Sequence, residues 1–450
     1  MTYFFETYGC QMNSAESAAL ALACRERGWS AAPDGGSADL VLLNTCSVRL
    51  TAEQRGLGRI ARYVSLKKKR LARGQRFAFV VAGCMAQRMG ESLKEQFPAV
   101  DYVMGTASRS TFPLILEAVE QNTGPSPFPH VAADETPKFS FSSSHLEEGQ
   151  FRSFVPIMHG CDNFCSYCIV PYVRGREICR DPALVAEEIR LVGERGVREI
   201  TLLGQNVNAY SWNGGEMDFA GLLRMAAREA KASGVRWLRF LSANPRDFSA
   251  ETIEAMAENP AFCRHLHLPV QHGSNRMLAA MNRGYTRQQY LALAAEIRRA
   301  MPEISLSTDI LIGFPGETEG DVEETLALME EARFLYAYMY HYNPREGTAA
   351  YSLPGRISEG IKRERLARVI ELQKKHTGML LKSRLGAREC VLVEGISRKN
   401  ADELVTRTER DEMAVAPGPA SMIGSFADLT LSGLRGNTFR AKELALCPGV

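Results

Sequence analysis

One phrase recurs three times in the first hundred residues of this 450-residue chain: an apolar, β-prone run, a cysteine at its end, and then a helical pattern. Residues 3–8 lead to Cys10, residues 40–45 to Cys46 and residues 77–82 to Cys84, while a fourth run at 102–105 lacks the cysteine. Strands alternating with helices predict a parallel, doubly wound sheet. In such a sheet the carboxyl ends of the strands share one edge, where ligands bind. Cysteines over 30 residues apart in sequence are thereby gathered at one place, and Cys10, Cys46 and Cys84 are predicted to form a metal site. Scattered core cysteines would have no reason to fall each at a strand's end.

Beyond residue 150 a second alternation begins. Strands are expected at 154–158, 199–203, 237–241, 265–270, 305–312 and 336–340, with helical patterns such as 183–194, 218–232 and 290–300 between them. Six βα units in series predict a partial (β/α)6 barrel with its chemistry at the strands' C-terminal ends. Pro125, Pro127, Pro129, Pro137 and the serines at 142–144 mark a linker. Residues 355–385 read as a long basic helix, and the β-prone remainder, with turn signals at Gly395, Gly418, Gly424 and Gly433, as a small β-barrel. Barrels of that kind often hold RNA. The fold class is α/β, with expected divisions at 1–120, a linker at 121–150, a core at 151–380 and a C-terminal barrel at 383–446.

Composition narrows the functional classes. Hydrophobic content of 45% and charged content of 24% are those of a soluble globular protein. No apolar run approaches the ~20 residues that span a bilayer, and the N-terminus has no basic start followed by an apolar signal core. A cytoplasmic location is expected. There the chain's 11 cysteines serve metal or redox chemistry rather than disulfides. The net charge of +2 says little, but its distribution says more. Arg55, Arg59, Arg62, Lys67, Lys68, Lys69, Arg70 and Arg73 fall in one stretch without an acid. Arg356, Lys362, Arg363, Arg365, Arg368, Lys374, Lys375, Lys382 and Arg384 fall in another against Glu359, Glu364 and Glu371. Either stretch alone reads as well as a solvated helix face; two of them favour nucleic acid.

Directly after the first barrel strand stand Cys161, Cys165 and Cys168, spaced C-x3-C-x2-C. Three thiolates so spaced can wrap one face of a [4Fe–4S] cluster and leave its fourth iron without a protein ligand. Zinc sites usually present four ligands in pairs. The arrangement resembles the radical S-adenosylmethionine (SAM) superfamily, in which the open iron chelates the amino and carboxylate groups of SAM, and Tyr167 matches that family's aromatic position. At other strand ends Gln205 and Asp309 are placed to hydrogen-bond SAM, and Gly313 to let backbone approach it. Turn chemistry accounts for the glycines equally well. No Gly-x-Gly-x-x-Gly follows the first strand, which disfavours a dinucleotide-binding hydride-transfer enzyme.

The chain further resembles the methylthiotransferase family. The likeness runs through Tyr8-Gly9-Cys10-Gln11-Met12-Asn13, Asn44-Thr45-Cys46-Ser47-Val48-Arg49 and Gly83-Cys84. It continues from Cys161 to Glu177, through Gly204-Gln205-Asn206-Val207-Asn208, Leu266-His267-Leu268-Pro269-Val270-Gln271 and Gly313-Phe314-Pro315-Gly316-Glu317. Val393-Glu394-Gly395 with Ser397-Arg398-Lys399 resembles the family's C-terminal RNA-binding barrel, called TRAM. The first motif favours the branch acting on isopentenyladenosine in tRNA over those acting on threonylcarbamoyladenosine or on a ribosomal-protein aspartate.

The resemblance implies two [4Fe–4S] clusters and two molecules of SAM per turnover. Cys161, Cys165 and Cys168 would hold the cluster that cleaves SAM, and Cys10, Cys46 and Cys84 a second one that carries sulfur. The 5′-deoxyadenosyl radical would take hydrogen from C2 of the adenine, sulfur would be inserted there, and the second SAM would methylate it. No catalytic side chain beyond the cluster ligands is implied. The implied partners are the tRNA anticodon stem-loop and an electron donor such as flavodoxin or ferredoxin, with no membrane and no DNA. A non-catalytic iron–sulfur RNA-binding protein stays open as an alternative.

Some residues depart from these patterns or fall outside them. Asn244 stands where the family suggests histidine, and Cys179 where serine is commoner. Cys24, Cys263, Cys390 and Cys447 have no partner at ligand spacing and read as small core hydrophobes. Arg174 and Arg180 are expected to face either the SAM carboxylate or an RNA phosphate.

Overall fold

The computed structural model describes residues 1–47, 50–124 and 149–447, so most of the expected linker lies outside the described residues. The first sheet holds β1 (Thr2–Tyr8), β2 (Ser30–Ala31), β3 (Leu40–Thr45), β4 (Ala78–Gly83) and β5 (Tyr102–Met104). Its order is β2-β1-β3-β4-β5 with every pairing parallel. Helices α1 (Gln11–Glu26), α2 (Leu50–Leu71) and α3 (Cys84–Met89) follow β1, β3 and β4. Because side chains alternate across a strand, Leu40, Leu42, Val80 and Ala82 build one core while Val41, Leu43, Phe79 and Val81 build another. Two cores on one sheet are the doubly wound arrangement that the near-continuous apolar runs predict. The strand order reverses between β1 and β3, the point where such sheets open a crevice for ligands.

The second body is a curved row of parallel strands in sequence order. β6 (Arg152–Pro156), the short antiparallel pair β7 (Met158–His159) and β8 (Ile178–Cys179), and β9 (Glu199–Leu203) come first. The pair β10 (Ser211–Trp212) and β11 (Met217–Asp218) follows, then β12 (Trp237–Phe240), β13 (His265–His267), β14 (Ser305–Ile312) and β15 (Tyr336–His341). They form two three-stranded parallel sheets, β6-β9-β12 and β13-β14-β15, bridged at Leu238 and Phe262. The expected strand at 265–270 pairs regularly only to His267, although Leu268 and Gln271 still donate backbone hydrogen bonds to Ser307 and Asp309 of β14. Pro269 interrupts the ladder there, since proline has no N–H to give.

The chain ends in a seven-stranded, mostly antiparallel sheet of order β20-β21-β18-β17-β16-β19-β22. Its strands are β16 (Arg388–Ile396), β17 (Glu403–Thr408), β18 (Met413–Pro417), β19 (Phe426–Thr430), β20 (Gly433–Arg435), β21 (Thr438–Arg440) and β22 (Ala445–Leu446). This sheet packs against the N-terminal ends of the barrel strands. Arg407 reaches Glu199 at 2.6 Å, Arg239 donates to the carbonyls of Thr408 and Glu409, and Trp237 meets Phe426 edge to face. Leaving one partner of such a buried ion pair alone costs roughly 3–5 kcal/mol. No helix among the described residues is long and apolar enough to cross a membrane.

Candidate cluster and cofactor chamber

Cys10 caps α1, Cys46 follows β3, and Cys84 opens α3 directly after β4. The first two therefore flank the point of strand reversal. Gly9 lies at φ +154°, and a Cβ there would sit 2.5 Å from Asn13 Oδ1 and 2.8 Å from the Cys46 Cβ. Only glycine lets the ends of β1 and β3 come this close. Asn13 and Asn44 lock the approach: Asn13 Nδ2 donates to Asn44 Oδ1 at 2.9 Å, and Asn44 Nδ2 donates to the Asn13 carbonyl at 3.0 Å. Asn13 Oδ1 also accepts from the Cys10 thiol at 3.3 Å.

The electrostatics of this triad come from a buried charge set. Arg174 pairs with Glu16 at 2.6 Å and Arg109 pairs with the same carboxylate oxygen at 2.8 Å. The Arg174 charge also acts on the Cys84 thiol, favouring its ionised form. A hydrogen bond from Cys46 pulls Cys10 down to about 5 against the opposing effect of burial, with help from the Arg174 charge. Burial pushes the Cys84 thiol up. Cys10 is thus poised as a thiolate before any metal arrives, which is the form that ligates.

Cys161, Cys165 and Cys168 lie on the loop that leaves β7. Gly160, at φ +79°, has no room for a side chain, since a Cβ would fall 1.8 Å from the Arg176 carbonyl oxygen. The loop is pinned from many sides. Gly160 donates its N–H to Gln205 Oε1 at 2.7 Å, and Asp162 donates to Glu177 at 3.1 Å. Ser166 donates to the carbonyls of Met281 and Ala280, and Asn282 donates to those of Asn163 and Phe164. Buried Arg283 donates to the Cys165 sulfur at 3.3 Å while also holding the Pro269 carbonyl at 3.0 Å. Burial raises Cys161 to about 11 and Cys168 to about 12.

Both triads open onto one cavity of about 1040 Å³, lined by all six cysteines. That is the upper end of the roughly 300–1,000 Å³ typical of small-ligand sites, as a chamber for several groups requires. Cys84 packs with Ile169 and Val173, the residues just beyond Cys168, so the two bodies meet between the triads. The donor sets fit two [4Fe–4S] clusters, each with three soft thiolates and one iron left for another ligand. Tyr167, Gln205 and Asp309 line the same cavity. Gln205 spends its carbonyl on the cluster loop, and Asp309 lies 3.6 Å from His267 Nε2. Gly313 does not line it. Its φ of +76° and the Lys362 side chain against its α-carbon place it in a turn, where its N–H bonds Glu317 at 2.8 Å.

Other expectations change. Arg174 and Arg180 pair with the buried carboxylates of Glu16 and Glu188, and of the two only Arg174 also lines the chamber. Asn244 lines the chamber, but its backbone is interlocked with the Asn208 side chain at 2.7 and 2.8 Å and its side chain caps a short turn. Cys179 accepts from the Ser211 N–H and stays outside the chamber lining. Cys24 and Cys263 are buried in apolar clusters. Cys390 and Cys447 are not isolated, for their sulfurs lie 3.7 Å apart. Three cations of the second basic stretch pair with the helix Glu319–Ala332, Arg365 and Arg368 with Glu319 and Lys375 with Glu330, while Arg363, Lys374 and Lys382 face solvent. In the first stretch Lys67 pairs with Asp101 and Arg59 with Glu6, while Lys68, Lys69 and Arg73 face solvent.

Comparison with known proteins agrees with this geometry. Residues 155–329 match the Radical SAM superfamily, and residues 2–105 match the uncharacterized protein family UPF0004. The chain is 48% identical over 453 aligned residues to a tRNA-2-methylthio-N(6)-dimethylallyladenosine synthase of Treponema denticola, covering 98% of this chain and 99% of that one. The protein of the same name from Geobacter metallireducens is 43% identical, with 95% of each chain covered. Among solved structures, the radical S-adenosylmethionine methyltransferase TsrM of Kitasatospora setae superposes with a TM-score of 0.58 at 16% identity over 78% of this chain and 74% of that one, a likeness of fold. The paired triads, the barrel and the full-length identity together place the chain in the tRNA-2-methylthio-N(6)-dimethylallyladenosine synthase family of radical SAM enzymes.

Proposed function

We propose that this chain inserts a methylthio group at C2 of N6-isopentenyladenosine beside the anticodon of tRNA. Cys161, Cys165 and Cys168 hold the cluster that engages SAM, and Cys10, Cys46 and Cys84 hold the cluster that carries the sulfur. The observation that carries this reading is the opening of both triads onto one chamber. When bound, the two clusters and SAM supply the one-electron chemistry, the sulfur and the methyl group, which an inert aromatic C–H requires. The chain's own groups position and insulate. Arg283 donates to the Cys165 sulfur, and Arg174 sets positive charge beside Cys10 and Cys84. Hydrogen bonds of this kind tune a cluster's potential. Tyr167, packed against the buried Met277, Met281 and Phe314, keeps one wall apolar. Asp309 offers a carboxylate to polar groups of SAM. Residues of both bodies wall the chamber.

RNA is held, on this reading, by the C-terminal sheet and by exposed cations such as Lys68, Lys69 and Arg73. The electron donor is a small carrier such as flavodoxin or ferredoxin, and the reaction takes place in the cytoplasm. The test is an anaerobic assay of the iron-loaded protein with SAM, dithionite and tRNA carrying isopentenyladenosine, with nucleosides read by mass spectrometry. A methylthio mass gain on that nucleoside, and none on tRNA lacking the isopentenyl group, is expected. SAM cleavage without any change in the tRNA would mean the acceptor is another molecule.

A further inference from the structure

Cys390, Asp428 and Cys447 come from three neighbouring strands of the C-terminal sheet. Cys390 on β16 stands opposite Asp428 on β19, and Ala445 on β22 stands opposite Asp428 on its other side. Cys447, just past β22, donates its N–H to the Phe426 carbonyl, which continues that ladder by one residue. The period of two puts all three side chains on one sheet face. The sulfurs lie 3.7 Å apart, Asp428 Oδ1 lies 3.4 Å from the Cys447 sulfur, and all three ligand atoms fall within 4.8 Å of one another.

We propose that these three residues form a zinc-class divalent metal site, distinct from both cysteine triads. Two edges of the set, 3.7 Å between the sulfurs and 3.4 Å from the Cys447 sulfur to the Asp428 oxygen, match a tetrahedral centre. Metal–sulfur bonds of about 2.3 Å and metal–oxygen bonds of about 2.0 Å separate two sulfurs by about 3.8 Å and a sulfur from an oxygen by about 3.5 Å. Two thiols in mere packing contact need no carboxylate beside them. Two sulfurs and one oxygen form a donor set that zinc accepts, with a fourth position for water. The second carboxylate oxygen, Oδ2, accepts from Arg388 at 2.9 Å, which fixes the orientation of the ligating oxygen. The metal would tie the two-residue strand β22 to the sheet. It would also brace the seam where Cys390, Phe426 and Cys447 pack with Trp237 of the barrel.

The experiment uses the full chain, loaded anaerobically with iron and sulfide and then supplied with Zn2+. Metal analysis should find about one zinc per chain beyond the iron, and zinc K-edge absorption should show two sulfurs at about 2.3 Å and lighter atoms completing the shell. Cys447→Ser and Asp428→Asn should each weaken zinc retention against a chelator by ~100-fold or more, since loss of an outer-shell partner alone costs up to that much. Iron content and SAM cleavage should stay unchanged in both variants, which separates this site from the triads and shows that the variants fold. Zinc absent from the wild-type chain, zinc retained equally by both variants, or a Cys390–Cys447 disulfide in anaerobically purified protein would each overturn the proposal.

Discussion

Cys161, Cys165 and Cys168 sit in one loop, whereas Cys10, Cys46 and Cys84 are spread over the first three long strands and meet only because the sheet is parallel. The local triad is set by a short loop pinned through backbone hydrogen bonds to Gln205, Met281 and Asn282. The distributed triad depends on the register of β1, β3 and β4 and on the Asn13–Asn44 lock. Each triad borrows a buried arginine from elsewhere: Arg283 serves Cys165, and Arg174, from the segment just beyond the local triad, serves Cys10 and Cys84. A loop can therefore mark a cluster site by its spacing and leave the fold to pin it, while a sheet forms one only through the whole fold around it.

The largest expected effects follow from cutting one triad at a time. Cys165→Ala and Cys46→Ala should each lower the iron bound from about eight to about four per chain, as the composition of two [4Fe–4S] clusters requires. Mössbauer spectra should show the other cluster intact; a single substitution that empties both triads would break the comparison. Next in size, Glu16→Gln leaves Arg174 and Arg109 buried without their carboxylate, and should cost roughly 3–5 kcal/mol of stability. Thermal unfolding would measure it, and iron should be lost from the distributed triad first.

A smaller effect separates the triads by pH. In the metal-free protein the Cys10 thiolate persists until pH falls through about 5, whereas Cys161 stays protonated until pH rises toward about 11. Iodoacetamide at pH 7 should therefore label Cys10 well before Cys161, read by peptide mass spectrometry; equal labelling would show that the Cys46 hydrogen bond and burial do not distinguish the two sites. Smallest of all, Lys68→Glu with Lys69→Glu should weaken tRNA binding and lower its salt slope by roughly 1–2, whereas Arg368→Ala, already paired with Glu319 and Glu323, should barely change it. Equal loss in both would return the basic helix to the RNA interface.

Much of the fold was legible because its strands alternate or run continuously apolar. β9 and β14 occupy the expected residues, and β3, flanked by β1 and β4, is buried from end to end. The cysteine spacing marked the loop triad directly, and the repeat of strand and cysteine marked the other. What stayed hidden is long-range. Arg283 lies over a hundred residues from the sulfur it touches, and nothing in its local pattern distinguishes it from a surface arginine. The acids that pair with Arg365, Arg368 and Lys375 lie on a different helix, so a window along the sequence reads bare charge where the fold has ion pairs. Asn13 and Asn44 stand within the quoted motifs, but their bond crosses from the first turn of α1 to the end of β3. Cys390 and Cys447 meet only across three strands of the final sheet.

The central claim is a division of labour between two triads that share one chamber. The most direct test measures 5′-deoxyadenosine and methylthiolated nucleoside together, under anaerobic conditions, for the wild-type chain and for triple alanine variants of each triad. The account predicts both products from the wild type, neither from the Cys161, Cys165 and Cys168 variant, and 5′-deoxyadenosine alone from the Cys10, Cys46 and Cys84 variant. Methylthiolated nucleoside from either variant would contradict it.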